Sequence, residues 1–180
     1  MALKMLSNAQ KNLAAGITTV RDLGGWSELE FDVRREIEHG ESAGPRMCLA
    51  GRFISITEAG ADYYAGMYRM ADGVDEVRKA VREQVKNGAD VIKMGVTGAV
   101  LVESGVPGAT HFNFDEMQAL VSEAKKFGKP VAMHAHGIDG IRKAVAHVHV
   151  ESVVDEVDDA STVRGFRGVL HDGEALGLLR

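Results

Sequence analysis

Three residues in this chain of 180 have side chains whose type and position suggest chemistry. Lys93 closes the run Val91-Ile92-Lys93, and His134 and His136 close Val131-Ala132-Met133-His134-Ala135-His136. Polar groups at the ends of apolar strands are where a (β/α) barrel keeps its catalytic face. Residues i and i+2 of a strand share a face, so His134 and His136 are expected to point the same way. Imidazole nitrogens ligate metals and also carry protons near neutral pH. The pair therefore reads equally well as metal ligands or as hydrogen-bonded histidines without a metal. Lys93 has two readings of its own. It is either an amine held for chemistry, as in Schiff-base enzymes, or a lysine whose apolar stem runs along a strand end toward water.

Other candidates carry less. Cys48 lies mid-strand with no base nearby in sequence and reads as a buried structural thiol. As the single cysteine it excludes an internal disulfide and fits a reducing compartment, hence a cytoplasmic expectation. Trp26 and the Tyr63, Tyr64, Tyr68 group follow strand ends, where they line a pocket or pack a loop. His39 and His111 read as surface residues. His147-Val148-His149 has the spacing of a ligand pair but follows a helix rather than ending a strand, which argues against a metal role. There is no Gly-x-Gly-x-x-Gly after a strand, no Gly-x-x-x-x-Gly-Lys phosphate loop, and no Gly-x-Ser-x-Gly elbow around Ser104, whose neighbours at that spacing are Val102 and Val106. Nucleotide-binding and serine-hydrolase readings weaken together.

The elements that must position these side chains are punctuated by glycine, 21 residues against 3 prolines. Ser7-Asn8-Ala9-Gln10 predicts a capping box opening a helix that Gly16 closes, and Ile17 to Val20 predicts a buried strand. Ser27 to Glu30 repeats the capping pattern, with Leu29, Val33 and Ile37 on one helical face and Gly40 at its end. Met47 to Ile56 predicts one strand. Val74, Val77, Val81 and Val85 form an apolar stripe between an Asp72 cap and Gly88. Ala89 to Met94 is the next strand. Asn113 caps a helix that ends at Gly128, Val131 to His136 is a strand, and Ile138, Ile141 and Val145 suggest one more helix. Alternating helices and strands predict a parallel sheet with helices packed on it. The pattern decays after about residue 146. Hydrophobic residues make up 45% and charged ones 26%, enough apolar content for one core. Net charge is −5 without a basic run, so no nucleic-acid surface is indicated. No window is long and apolar enough for a membrane span, and the start lacks the apolar region of a secretory signal.

Several motifs in order carry a family resemblance. Ala15-Gly16-Ile17-Thr18-Thr19-Val20-Arg21-Asp22-Leu23-Gly24-Gly25 resembles the start of the barrel in the amidohydrolase superfamily, in its imidazolonepropionase-like and Xaa-Pro dipeptidase (prolidase) branch. Gly44-Pro45-Arg46 and Ala50 to Ser55 resemble the next strand, and Gly88 to Lys93 followed by Thr97-Gly98 the strand that bears the branch's carboxylated lysine. Pro107 to Thr110, the helix around Glu116-Met117, and Gly128 to Gly137 complete a likeness over about residues 8 to 146. It implies a distorted (β/α)8 barrel of α/β class holding one or two divalent metals, usually zinc. In that reading carbamylated Lys93 bridges the metals and His134 is a ligand. His136 orients a ligand or contacts substrate, and the reaction is hydrolysis of an amide or peptide-like C–N bond by a metal-activated water. The implied substrate is a dipeptide, acyl amino acid or cyclic amide.

The sequence also departs from the family. The His-x-His pair of the first strand would precede residue 8, the catalytic aspartate would follow residue 180, and Thr57-Glu58-Ala59-Gly60-Ala61 lacks the histidine of the corresponding Thr-Gly-Gly-His-Gly motif. The histidine ligand that ends the family's sixth strand falls nearest to Asp155 here. A full barrel needs about 250 residues, so four or five β/α units are expected, forming a single incomplete domain with 147–170 divergent and Asp172 to Leu179 again similar to the family. A gene fragment or truncated homologue is the expectation, with open sheet edges that invite pairing between copies as a homo-oligomer. Two alternatives stand beside the hydrolase. One is a Schiff-base lyase or aldolase-type enzyme using Lys93, and the other is a non-catalytic barrel fragment.

Overall fold

A computed structural model describes residues 1–98, 106 and 108–151, with backbone only at 59, 61 and 148–151. Helices and strands alternate: α1 (Ala2–Ala14), β1 (Thr19–Asp22), α2 (Leu29–Glu38), β2 (Arg46–Leu49), β3 (Phe53–Ser55), α3 (Ala59–Tyr63), β4 (Tyr68–Met70), α4 (Val74–Asn87), β5 (Ile92–Gly95), α5 (Phe114–Lys126), β6 (Val131–His134) and α6 (Ile138–Glu151). All ladders between these strands are parallel, in the orders β1-β2 and β4-β3-β5-β6. The amide of Asp90 donates to Leu49 O at 2.8 Å, which ties the end of β2 to the start of β5. Residues 46–55 thus lie between β1 on one side and β5 on the other. This is the arrangement expected of a partial (β/α)8 barrel.

The stretch from Met47 to Ile56 is two strands rather than one. Between them Gly51 takes φ +72, and a Cβ there would meet Gln84 Oε1 at 2.1 Å and the Phe31 ring at 3.1 Å. Buried Gln84 accepts a hydrogen bond from the Arg52 amide at 3.0 Å, which fixes the break. Beyond it β3 acquires a neighbour, β4, that its three residues are too few to announce by pattern.

Several helix starts differ from the expectation. α1 runs through Ser7 because Ala, Leu, Lys and Met upstream are themselves strong helix formers. Ser27 and Glu28 are both left-handed and α2 begins at Leu29 with no side-chain cap. Asp72 does not cap α4. Its carboxylate accepts from the amide and hydroxyl of Thr57, and the Gly73 amide donates instead to Glu116 Oε1 at 2.7 Å. Glu116 Oε2 accepts from the Asn113 amide at 2.7 Å, so the Asn113 capping box forms and one carboxylate serves the starts of two helices. The core is built from Ile54, Ile92, Met94 and Val96 of the sheet, Val77, Ala80 and Val81 of α4, and Met117, Leu120 and Ala124 of α5. β1 is not buried: it alternates exposed and half-buried residues.

α6 also continues past the point where the sequence pattern fades. Gly140, Ala144 and His147 occupy its buried positions at i, i+4 and i+7. His147 Nδ1 lies 2.7 Å from Lys143 O, and its ring packs on Phe114 at 4.4 Å. It is a helix-packing residue, within the helix rather than after it. Asp155 and the segment 161–179 lie outside the described residues.

Candidate functional site

β5 is the most enclosed strand, with Ile92, Lys93, Met94 and Gly95 all buried between β3 and β6. Lys93 is the second of the four residues of β5 rather than its last, because the pairing with β6 runs on to Gly95. It is 9% exposed and its Nζ stands 5.5 Å from the Phe53 ring centre. Among the described residues it has no hydrogen-bond or ion-pair partner. Burial, with the positive charge of Arg21 adding to it, pushes its ammonium down to about 8. The lysine therefore does not snorkel into water. Arg21 belongs to β1, close enough for its charge to act on Lys93.

Register places His134 opposite Gly95, at the end of β6. The missing side chain matters here: a Cβ on Gly95 would meet the Phe53 ring at 2.3 Å. Phe53 lies over that gap, 6.5 Å edge-on from His134. His134 is itself exposed at the strand end, yet partial burial of its ring, then Lys93, then His136, hold it below the usual histidine value and favour the neutral ring that can ligate a metal. The rings of His134 and His136 stand edge to face at 4.5 Å. They come together although β6 ends at His134. His136 is held from outside the strand, its amide donating to Thr97 Oγ1 at 2.8 Å, and it remains exposed.

Loops fix this end of the sheet. Thr97 bridges Thr110 antiparallel, and the His111 amide donates to Val96 O at 2.8 Å. Gly137, at φ +75, abuts Gly108, whose carbonyl oxygen a Cβ would approach to 2.8 Å. His111 is consequently not a surface residue. Its side chain is 13% exposed, and Nδ1 lies 3.8 Å from Glu58 Oε2. A pocket of about 160 Å³ opens beside His134, lined also by Phe53, Glu58, Tyr68 and Thr97. Tyr68 takes the pocket-lining role, one of the two readings of its tyrosine group, whereas sequence reasoning misses Glu58 because it stands alone before α3, a helix too short to show periodicity. Trp26 packs a loop instead, with its Nε1 2.9 Å from the place a Cβ on Gly66 would take. Cys48 is half-buried, and burial raises its thiol.

Whether this donor set suits a metal turns on Lys93. Among the described residues no three His, Cys, Asp or Glu side chains are placed to hold an ion. An ammonium offers no lone pair. A buried, unpartnered amine that readily sheds its proton can, however, be converted to a carbamate, and a carboxylate beside His134 would then fit a divalent ion. Arranged this way, the site offers two donors from adjacent parallel strands, with a third ring beside them.

The family model described as Amidohydrolase family matches residues 2–174, including the stretch 147–170. Ochratoxinase of Aspergillus niger is 32% identical over 74% of this chain and 32% of its own length, so the chain spans about a third of that relative. The crystal structure of that ochratoxinase superposes with a TM-score of 0.73 at 30% identity, covering 81% of this chain and 38% of the other. A Xaa-Pro dipeptidase with methionine bound in its active site superposes with a TM-score of 0.71 at 36% identity, covering 81% and 39%. With its parallel α/β arc and a match over nearly its whole length, this chain belongs to the amidohydrolase family.

Proposed function

We propose that these residues are one side of the active site of a metal-dependent hydrolase of amide or peptide-like C–N bonds. The observation that carries the reading is the placement of Lys93, buried on β5 without a partner among the described residues, one strand over from His134 at the end of β6. In the neutral form its Nζ attacks carbon dioxide, one N–C bond forms, a proton leaves, and the product is a carboxylate. Carbamylated Lys93 and His134 would hold one or two divalent ions, most simply zinc. When bound, such an ion supplies an activated water and polarises the scissile carbonyl. The chain's own residues do the rest. β3, β5 and β6 hold both donors rigidly, Phe53 shields the lysine from water, and His136 orients the metal-side groups or meets the substrate. The relative named Xaa-Pro dipeptidase, with methionine in its active site, supports a dipeptide-like substrate.

The test is zinc per chain after incubation with zinc and bicarbonate. The reading expects about one ion or more in the parent and a loss in both Lys93→Ala and His134→Ala. No bound zinc in the parent overturns it. Borohydride separates the Schiff-base alternative: trapping of a carbonyl compound on Lys93 would show a free amine nucleophile, which a carbamate cannot be.

A further inference from the structure

The pocket beside His134 contains a carboxylate that the hydrolytic reading does not use. Glu58 precedes α3 but makes no capping hydrogen bond to it. Its side chain is 13% exposed, and no donor reaches its oxygens among the described residues; the nearest charged partner is His111, at 3.8 Å and without a hydrogen bond. Its oxygens accept no hydrogen bond from the described residues and open toward the pocket, so a group that enters and donates to this shielded carboxylate gains a charge-assisted bond. The walls suit a cation as well. Phe53 and Tyr68 meet edge to face at 5.0 Å, and Tyr64 stacks behind Tyr68 at 5.9 Å. Aromatic faces attract ammonium and guanidinium groups. Glu58 and Tyr68 both line the pocket, and burial, then the charge on Glu58, raises the Tyr68 hydroxyl, so the phenol keeps its proton. Glu58 is not a metal donor with His134 and His111, since no such triad forms among the described residues.

We propose that this pocket is a subsite for a positively charged substrate group, an ammonium or guanidinium, with Glu58 as the specificity-determining residue. The inference rests on the hydrolase reading for its place next to the reacting bond. The pocket has room for a short alkyl chain ending in a cation. That cation comes from a basic side chain or from a free amino terminus, and the two sources are separable with small probes.

Binding to the full chain is measured for Nα-acetyl-L-lysine methylamide, L-norleucine methylamide and the uncharged Nα-acetyl-L-norleucine methylamide. At least one cationic probe is expected to bind about tenfold tighter than the uncharged one, the scale of one hydrogen bond to a charged group. Which of the two does so names the source. Glu58→Gln should abolish the preference and Glu58→Lys should invert its sign, while zinc content in Glu58→Gln stays at the parent level. Equal binding of all three probes, a preference that survives Glu58→Gln, or loss of zinc in that variant overturns the inference. Independently of any variant, the parent's preference should shrink from low salt to about 1 M salt, and an unchanged ratio also overturns it. Zinc loss in the Lys93 and His134 variants decides the hydrolase reading separately, so the two can fail apart.

Discussion

The two halves of the molecule handle buried carboxylates in opposite ways. Around β5, Glu123 is 1% exposed and paired twice, with Arg82 Nε and Lys126 Nζ each at 2.7 Å. Its neighbour Glu116 is equally occupied, by two helix-start amides. Around β1, Glu30 is 2% exposed, yet neither of its oxygens makes a well-formed hydrogen bond among the described residues; the nearby backbone amides of Glu30 and Trp26 only partly offset its burial. It sits under Gly25, where a Cβ would fall 1.7 Å from its Oε1. Partner residues hold Glu123 below the usual carboxylate value, while burial holds Glu30 above it. The strands follow the same division. β5 has a parallel neighbour on each side and is buried throughout, whereas β1 pairs only with β2 among the described strands and stays partly open. Neighbours on both edges are what make an apolar strand a core strand, and the same enclosure depresses the Lys93 ammonium.

The sharpest break of this comparison is a pair of truncations. Ile92→Ala, in the closed half, should cost about 2–5 kcal/mol in urea unfolding. An equal cost for Ile17→Ala, where the side chain is 46% exposed, would erase the distinction. Next in size is Lys93→Met. Below pH 8 the lysine is charged in both the folded and the unfolded chain, and the fold bears the full cost of burying it. Between pH 8 and the ordinary lysine value the unfolded chain binds a proton that the native state has released, so stability rises with pH. Carbonate-free titration without zinc should show the parent gaining about 3 kcal/mol relative to Lys93→Met between about pH 7 and pH 10.5. A constant difference would mean that the lysine is not desolvated.

Glu123→Ala should cost about 1–2 kcal/mol at neutral pH through its two lost charge-assisted bonds. Because its folded value is lowered, that contribution disappears as pH falls through the carboxylate range. Glu30→Gln should act in reverse. A raised folded value means the native state holds its proton longer, so Glu30 costs stability as pH rises past the carboxylate range, and the amide should be more stable than the parent at pH 7 and no better at pH 4. A loss at pH 7 would reveal a partner for Glu30. The smallest effect is expected at the open edge itself, where Ile17→Ser should change stability by less than about 0.5 kcal/mol.

Much of this was legible without coordinates. Glycines after α1, α2, α4 and α5 marked the alternation, and Gly88 does close α4 in the left-handed conformation. The valine stripe of α4 marked its buried face, and His134 marked the end of the sheet where the candidate site lies, whereas Lys93 falls second in β5 rather than last. Local pattern could not show the break at Gly51, because it is set by Gln84 and Phe31, residues more than 19 positions away in sequence that occupy the space a side chain would need. For the same reason His111 read as a surface residue: only the pairing of Thr110 with Thr97 draws it inward.

Sequence by itself determined the alternation of the longer helices and strands and the placing of His134 at a strand end, because periodicity and local steric rules act over a few residues. The family was legible as a resemblance of ordered motifs. Tertiary structure alone decided that Lys93 is desolvated rather than snorkelling, that Glu58 and Tyr68 share a pocket with His134, and that Glu30 and Glu123 live in opposite environments. Burial and electrostatic environment are properties of neighbours in space, and those neighbours come from strands and helices tens of residues apart.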